Sequence, residues 1–431
     1  MRKLTTNAVA MLLALVGCMG CGNRSASSVD NLIRVDVMAD YPEKELILQD
    51  LVDVEYIALE TTDDFITKGA VKAIGKDIML VTNRGSDGDI LVFDRNGKGL
   101  RKINRLGQSG EEYTQLTGLV LDEGNDEIFV KDNPARKIGV YDLLGNYKRS
   151  FKFTDTSYYN YIFNYDRDHL ICYKSYPSEK GKRECHLIIS KQDGRIIHEI
   201  QIPSKGTETP VVTEGEFIIT PEFYLTFPDR DKWILVNTSS DTIFHYLPDG
   251  NLSPFIVRSP SISSMDTKVF LFPTVITDRY CFMRTMRKEV DFTTFKGFLG
   301  EDLVYDKQEN ALFSYILYND DFINKEEVSL TSEPRNPEIA ICQTLDAPDL
   351  VEAYEKGQLK GKLKEIAANL DEESNPVVSS MNTTRPTALY STVVRKLMPN
   401  SMPTKPVMMS ANRPIISLGP QPDRSLWVVV P

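Results

Sequence analysis

The stretch "ILVFDRNGK" at 90–98 returns as "IGVYDLLGN" (138–146), "LIISKQDGR" (187–195), "IFHYLPDGN" (243–251) and, in weaker form, "LVYDKQENA" (303–311). Each copy is an apolar strand, a polar turn and the start of another strand. Gly97, Gly145, Gly194 and Gly250 mark the turns at spacings of 48, 49 and 56 residues, and Asn310 follows 60 residues later. A tight hairpin needs a residue at positive φ, which glycine adopts freely and asparagine tolerates. This repeat constrains the fold more than any other feature. A period near fifty residues that holds several short strands predicts a β-propeller, each blade a sheet of about four strands.

The first full copy shows its four strands as "AVKAI", "IMLVT", "ILVFD" and "LRKIN", and the second as "GLVLD", "EIFVKD", "KIGVYD" and "YKRSFKF". Runs of four to seven residues with turn chemistry between them exclude helices here. One blade cannot bury both faces, whereas stacking blades around an axis buries both and protects most edges. Five copies are visible. A sixth blade assembles from both ends, with "ELILQDLVDVEYIALET" (45–61) before the first copy and "PEIAICQTL" (337–345) and "NPVV" (375–378) after the last. The expectation is an all-β fold, a six-bladed propeller of four-stranded antiparallel blades closed by pairing N- and C-terminal strands.

Between those late strands, 346–374 changes character. Leu350, Val351, Tyr354, Leu359, Leu363, Ile366 and Ala367 recur at helical spacing, and Gly357 and Gly361 interrupt them. The stretch reads as a small helical insertion of one or two helices. The tail 381–431 holds 8 of the 23 prolines and 5 of the 13 methionines, with six basic residues against one Asp. A basic, Pro-rich end on a chain of net charge −11 reads as an appended disordered segment.

At the other end, Arg2 and Lys3 precede an apolar run from Ala8 to Val16, then Gly17 and Cys18. This is a secretory signal layout, too short to span a bilayer. Leu15-Val16-Gly17-Cys18 has the form of a bacterial lipobox, which makes Cys18 the acceptor of a lipid anchor. The chain therefore divides into a lipoprotein signal peptide (1–17), a tether and entry segment (18–44), the propeller with its insertion (45–380) and the tail (381–431). Cys172, Cys185, Cys281 and Cys342 lack zinc spacing and read as core residues; Cys172 and Cys185 are the pair close enough in sequence for a disulfide to be the alternative.

These motifs together resemble the six-bladed β-propeller lipoproteins of Bacteroidetes, a family related in pattern to NHL-repeat propellers. The likeness runs over 46–380. It is carried by "VDVEYIALETTDDFI" (52–66), "GQSGEEY" (107–113), "IFVKDNPARKIGVYDLLGNYKRSF" (128–151) and "EESNPVV" (372–378). Ser109 stands where the family usually has proline. The resemblance implies a lipid-anchored protein of the cell envelope. The residues after Cys18 lack an acidic export run, which favours the periplasmic side of the outer membrane over the cell surface. It implies no settled activity.

The acidic charge argues against a nucleic-acid partner. His169, His186, His198 and His245 show no metal-ligand spacing, and no nucleophile elbow or phosphate loop is present, so neither a metal nor a cofactor is expected. Candidate ligand-binding residues lie in the turns and loops of the first two blades: Arg84, Asp87, Asn133 and Arg136 between strands, and Glu112 and Tyr113 in the inter-blade loop. Asx-turn chemistry alone accounts for Asp and Asn there. "SYYNYIFNYDRDHLICYKSYP" (157–177) packs six tyrosines, of which Tyr159 and Tyr161 are candidates for stacking on sugar rings, although aromatic residues also favour strands for packing reasons. Two functions follow: a binding or scaffold module for a glycan, peptide or partner protein, without catalytic residues, and, as the alternative, an NHL-like lyase, lactonase or other hydrolase with a polar site in the central channel.

Overall fold

The computed structural model describes residues 32–83, 87–154, 156–176, 184–214, 217–290, 298–336, 338–382 and 427–429. Its strands form a six-bladed β-propeller. The first three blades are antiparallel meanders of four strands each, spanning 70–104, 118–152 and 158–200. The fourth (226–259) and fifth (269–319) have the same four-stranded meander. The first strands of neighbouring blades approach one another around the axis: Ala70–Ile74 lies against Gly118–Asp122, which lies against Tyr158–Asn164.

Strands buried on both faces need apolar side chains on both, which is why "ILVF" runs without alternation. The two faces part with period two. Leu80, Ile90 and Val92 face the second blade and pack with Ile128, Val130 and Tyr141, while Met79, Val81, Leu91 and Phe93 face the sixth and pack with Ile57, Cys342 and Val378. Each of the other four interfaces between blades has its own apolar cluster.

The repeat marks equivalent corners. Gly97, Gly145, Gly194 and Gly250 have φ of 86, 86, 72 and 83°, and Asn310 has 51°, each in the turn before its blade's outermost strand. A methyl group on Gly97, Gly145 or Gly194 would run into Ala58, Ile103 or Phe151, which lie on the outermost strand of the preceding blade. Glycine is therefore required twice, for backbone conformation and for close approach. Asp94, Asp142 and Asp306 close these turns by accepting backbone N–H groups with Oδ1.

Three features depart from the sequence expectation. The sixth blade has three laddered strands in place of four: Ile339–Leu345, Val377–Asn382 and the N-terminal Asp53–Ala58. Residues 331–336 lead into it without a ladder, and Pro334 has no N–H to give one. The fourth and fifth blades each gain a parallel outer strand, Ile33–Asp36 on Leu252–Ser259 and Glu43–Ile47 on Ala311–Asn319. The entry segment is thus a belt around the outside of the ring. Finally, a hairpin (Val212–Glu214 and Phe217–Thr220) sits between the third and fourth blades, and Trp427–Val429 of the tail pairs with it.

The insertion is two helices, Ala347–Glu355 and Gly361–Ala367; their Leu350 and Leu363, with Leu359 from the connection between them, pack on Tyr56 and Val377. Cys172, Cys185, Cys281 and Cys342 are buried thiols, as a core reading predicts. No helix among the described residues is long and apolar enough to cross a membrane. Cys18 with its signal segment, and the rest of the tail, lie outside the described residues.

Candidate functional site

The first strand of each blade lines the central channel, so a charged residue in the middle of such a strand points at the axis. Lys72 holds that place in "AVKAI". Lys131, on the second strand of the second blade, pairs with Gly118 of the first strand and lays its side chain across it. The missing side chain of Gly118 makes that path possible. Tyr161 reaches the channel from the third blade through a β-bulge between Asn160 and Phe163, where it holds φ 49°. A tyrosine at positive φ is a strained residue, tolerated where the surroundings fix it. Here its hydroxyl donates to the Phe223 carbonyl at 3.0 Å.

These groups line two adjoining open cavities of about 520 and 550 Å³. Both are bounded by Lys72, Leu119, Val120, Ile162 and Glu333. One adds Thr117, Phe129, Lys131 and Tyr161, and the other adds Phe163, Asn164, Trp233 and Arg335. Lys72, Lys131 and Arg335 therefore share these walls with one carboxylate, Glu333, which accepts from Arg335 at 2.6 Å. Burial holds the Lys131 ammonium below the usual lysine range, and the Glu333 charge only partly offsets it. Among the described residues its amine has neither a hydrogen bond nor an ion pair. Burial likewise pushes the Tyr161 phenol up.

Of the described residues singled out in the sequence, Tyr161 alone borders these cavities. Tyr113 is 1% exposed and pins the inter-blade loop, donating to the Gly88 carbonyl at 2.6 Å and accepting from the Arg105 N–H. Tyr159 is wholly buried and stacked on Phe153 at 4.7 Å between ring centroids. Neither can reach a ligand without disrupting the core, so their places among binding residues are corrected to packing roles. Glu112 accepts the Ser109 N–H, which holds its carboxyl below the usual range. Asp87 closes its turn by accepting from Asn83 and the Asp89 N–H. Arg136, at φ 54°, donates to the Ser157 carbonyl and lies over the Tyr158 ring. Asn133 donates its backbone N–H to Thr117 Oγ1 and keeps a buried Oδ1 with no partner among the described residues. Arg84 lies outside the described residues.

The histidines serve elsewhere. His169 pairs with Asp166, His186 with the Leu225 carbonyl, His198 with the Tyr246 hydroxyl and His245 with Asp229. Among the described residues no group of three His, Cys, Asp or Glu could hold a metal ion. Lys72, Lys131, Glu333 and Arg335 were absent from the sequence reading. The signal that finds the lysines is a charge inside a strand whose neighbours are apolar on both faces.

Comparison with known proteins agrees with this architecture. A Bacteroides fragilis protein inferred to be exported superposes with a TM-score of 0.55 at 13% identity, covering 80% of this chain and 100% of its own. A member of the DUF4221 family from Bacteroides vulgatus gives 0.44 at 10% identity, over 77% of this chain and 98% of its own. Virginiamycin B lyase from Staphylococcus aureus gives 0.36 at 12% identity, over 77% and 99%. At such identities the first likeness shows the fold alone. No curated protein matches. The model of the domain of unknown function DUF4934 matches residues 32–382, which is the whole propeller with its belt, and the chain belongs to that family.

Proposed function

We propose that this chain is a lipid-anchored binding module of the cell envelope that holds a small ligand in its central channel. The observation that carries this reading is the Lys131 amine, directed into an open cavity with no protein partner among the described residues. A buried cation without a partner is costly, and a ligand that meets it recovers that cost. The walls from several blades give the mixed apolar and polar lining typical of small-molecule sites. The exported relative and the Leu15–Cys18 lipobox support the envelope location.

A thermal-shift and calorimetric screen of the full chain with sugars and short peptides tests the reading. Ile162 borders both cavities, so Ile162→Trp should fill the channel and abolish any binding found, with the melting temperature kept near that of the parent. Binding untouched by that change sinks the channel assignment. Cys18→Ser should move the protein from the membrane to the soluble fraction.

The second reading, an enzyme of lyase or lactonase type, is favoured by the lowered proton affinity of Lys131 beside Glu333, since such a lysine is more often neutral and so available to accept a proton. Conversion of a screened compound, lost in Lys131→Met, would establish it.

A further inference from the structure

We infer that Lys131 is a nucleophilic amine, and that the channel captures a small uncharged aldehyde or ketone on it as a Schiff base. This rests on the channel-binding reading above and narrows it to a chemical class and a mode of capture. A lysine condenses with a carbonyl compound when its nitrogen is free, partly deprotonated and facing open space. Among the described residues the Lys131 amine makes no hydrogen bond or ion pair, and it borders a cavity of about 520 Å³. Its stem is closely seated: a Cβ added to Gly118 would lie 3.1 Å from Cε and 3.7 Å from Nζ. A nitrogen placed in this way loses little freedom when it forms a bond. Burial is the largest effect on the amine and favours its neutral form; repulsion from Lys72 adds to it, and the Glu333 charge opposes it. The Cys172 thiol, which also acts on Lys131, is pushed up by its own burial.

The walls fix the body of the ligand. Glu333 and Arg335 meet at 2.6 Å, so this pair calls for no charged partner. Leu119, Val120, Phe129, Ile138 and Ile162 line the rest with apolar surface, and the volume suits a compound of one ring. The condensation needs no oxidant or reductant. The amine lone pair attacks the carbonyl carbon, the C–O π pair moves to oxygen, and one nitrogen proton follows it to give a carbinolamine. The hydroxyl then leaves with the second nitrogen proton as water, and the C=N bond forms. The neutral imine suits an apolar wall better than an ammonium ion does.

The test treats the full chain near neutral pH with benzaldehyde and sodium cyanoborohydride, which reduces an imine to a stable secondary amine, and locates the adduct by peptide mass mapping. Lys131 should carry the first adduct, formed at least about tenfold faster than on surface lysines. Lys131→Arg keeps the charge but forms no imine, and Lys131→Met removes both. Each should lose the fast adduct while keeping the parent's near-ultraviolet circular dichroism. Ile162→Trp fills the cavity and should slow labelling of Lys131 to the rate of surface lysines. Labelling spread evenly over the lysines, a first adduct on Lys72, or labelling of Lys131 that Ile162→Trp leaves unchanged overturns the assignment. Benzyl alcohol keeps the ring without the carbonyl and separates the two readings. If it binds in calorimetry, Ile162→Trp abolishes that binding and Lys131 stays unlabelled, the capture falls and the channel reading stands. If benzyl alcohol does not bind and benzaldehyde does not react, the capture falls, and the wider sugar and peptide screen decides whether the channel reading falls with it.

Discussion

At the scale of single residues, burial decides chemistry. His186 is 1% exposed, edge-on to the Tyr173 ring, and its Nε2 meets the Leu225 carbonyl at 3.0 Å, so that nitrogen carries the proton of the neutral ring. Burial lowers its pKa to about 4, against a weaker opposing effect of that hydrogen bond. Between pH 6.5 and 4 the unfolded chain takes up a proton that the folded chain refuses. Stability therefore falls as pH falls through that window, by up to about 1.4 kcal/mol per pH unit. His186→Gln keeps a donor for Leu225 and does not titrate. Between pH 7 and 4 the parent should lose about 2–3 kcal/mol more than the variant in urea unfolding, and equal losses would show that this ring is not the cause. The same physics explains what the sequence hid. "SYYNYIF" shows many tyrosines but not which way each points, and the bulge after Asn160 breaks the period that would have told Tyr159 from Tyr161. Lys72 and Lys131 were missed although the sequence carries a signal for them, because a charge inside an otherwise apolar strand must face the axis or a partner.

At the scale of elements, legibility follows the turns. The strands of the first two blades were read to within about two residues, because each is an apolar run bounded by a turn with its own chemistry. The belt was not legible. A parallel outer strand joins its sheet without a hairpin, so nothing in "LIRVD" or "EKELI" announces the partner. Backbone ladders and the buried Ile33, Val35 and Leu46 hold the belt, and ion pairs add to its second strand. Lys44 donates to Asp306 and Glu309, both at 2.8 Å, and Arg279 donates to Asp306 at 2.7 Å. Asp306 is wholly buried, which by itself resists ionisation. Hydrogen bonds from Arg279 and Lys44 outweigh that and hold its carboxyl well below the usual range. Lys44→Met removes one of two cations and should cost about 1–2 kcal/mol, less than breaking an isolated buried pair because Arg279 remains. The belt should also loosen locally. Faster proteolytic cleavage between Ile33–Asp36 and Glu43–Ile47 is expected at temperatures where the blades stay folded, and an unchanged cleavage rate would show that backbone pairing alone secures the belt.

For the whole molecule, closure is the decisive property. The four-stranded meanders of five blades are each continuous in the chain, but the sixth joins Asp53–Ala58 to Val377–Asn382, so the ring shuts only when both ends of the propeller meet. Until then the first and fifth blades each expose one apolar face, and the clusters around Ile57 with Leu91 and around Val304 with Ile341 cannot form. Stability of the ring thus includes the entropy of bringing distant segments together. Asp53 and Asn382 are opposite one another at the end of that ladder, so Asp53→Cys with Asn382→Cys can be bridged, and the site lies away from the buried Cys342 opposite Ser380. A crosslink over so long a loop removes unfolded-state entropy worth up to about 5 kcal/mol. The oxidised variant should melt several degrees above the parent in a single transition, and reduction should return it to the parent value. A second, lower transition that the crosslink leaves in place would mean that some blades unfold on their own, and that the ring is held by its individual interfaces and not by its closure.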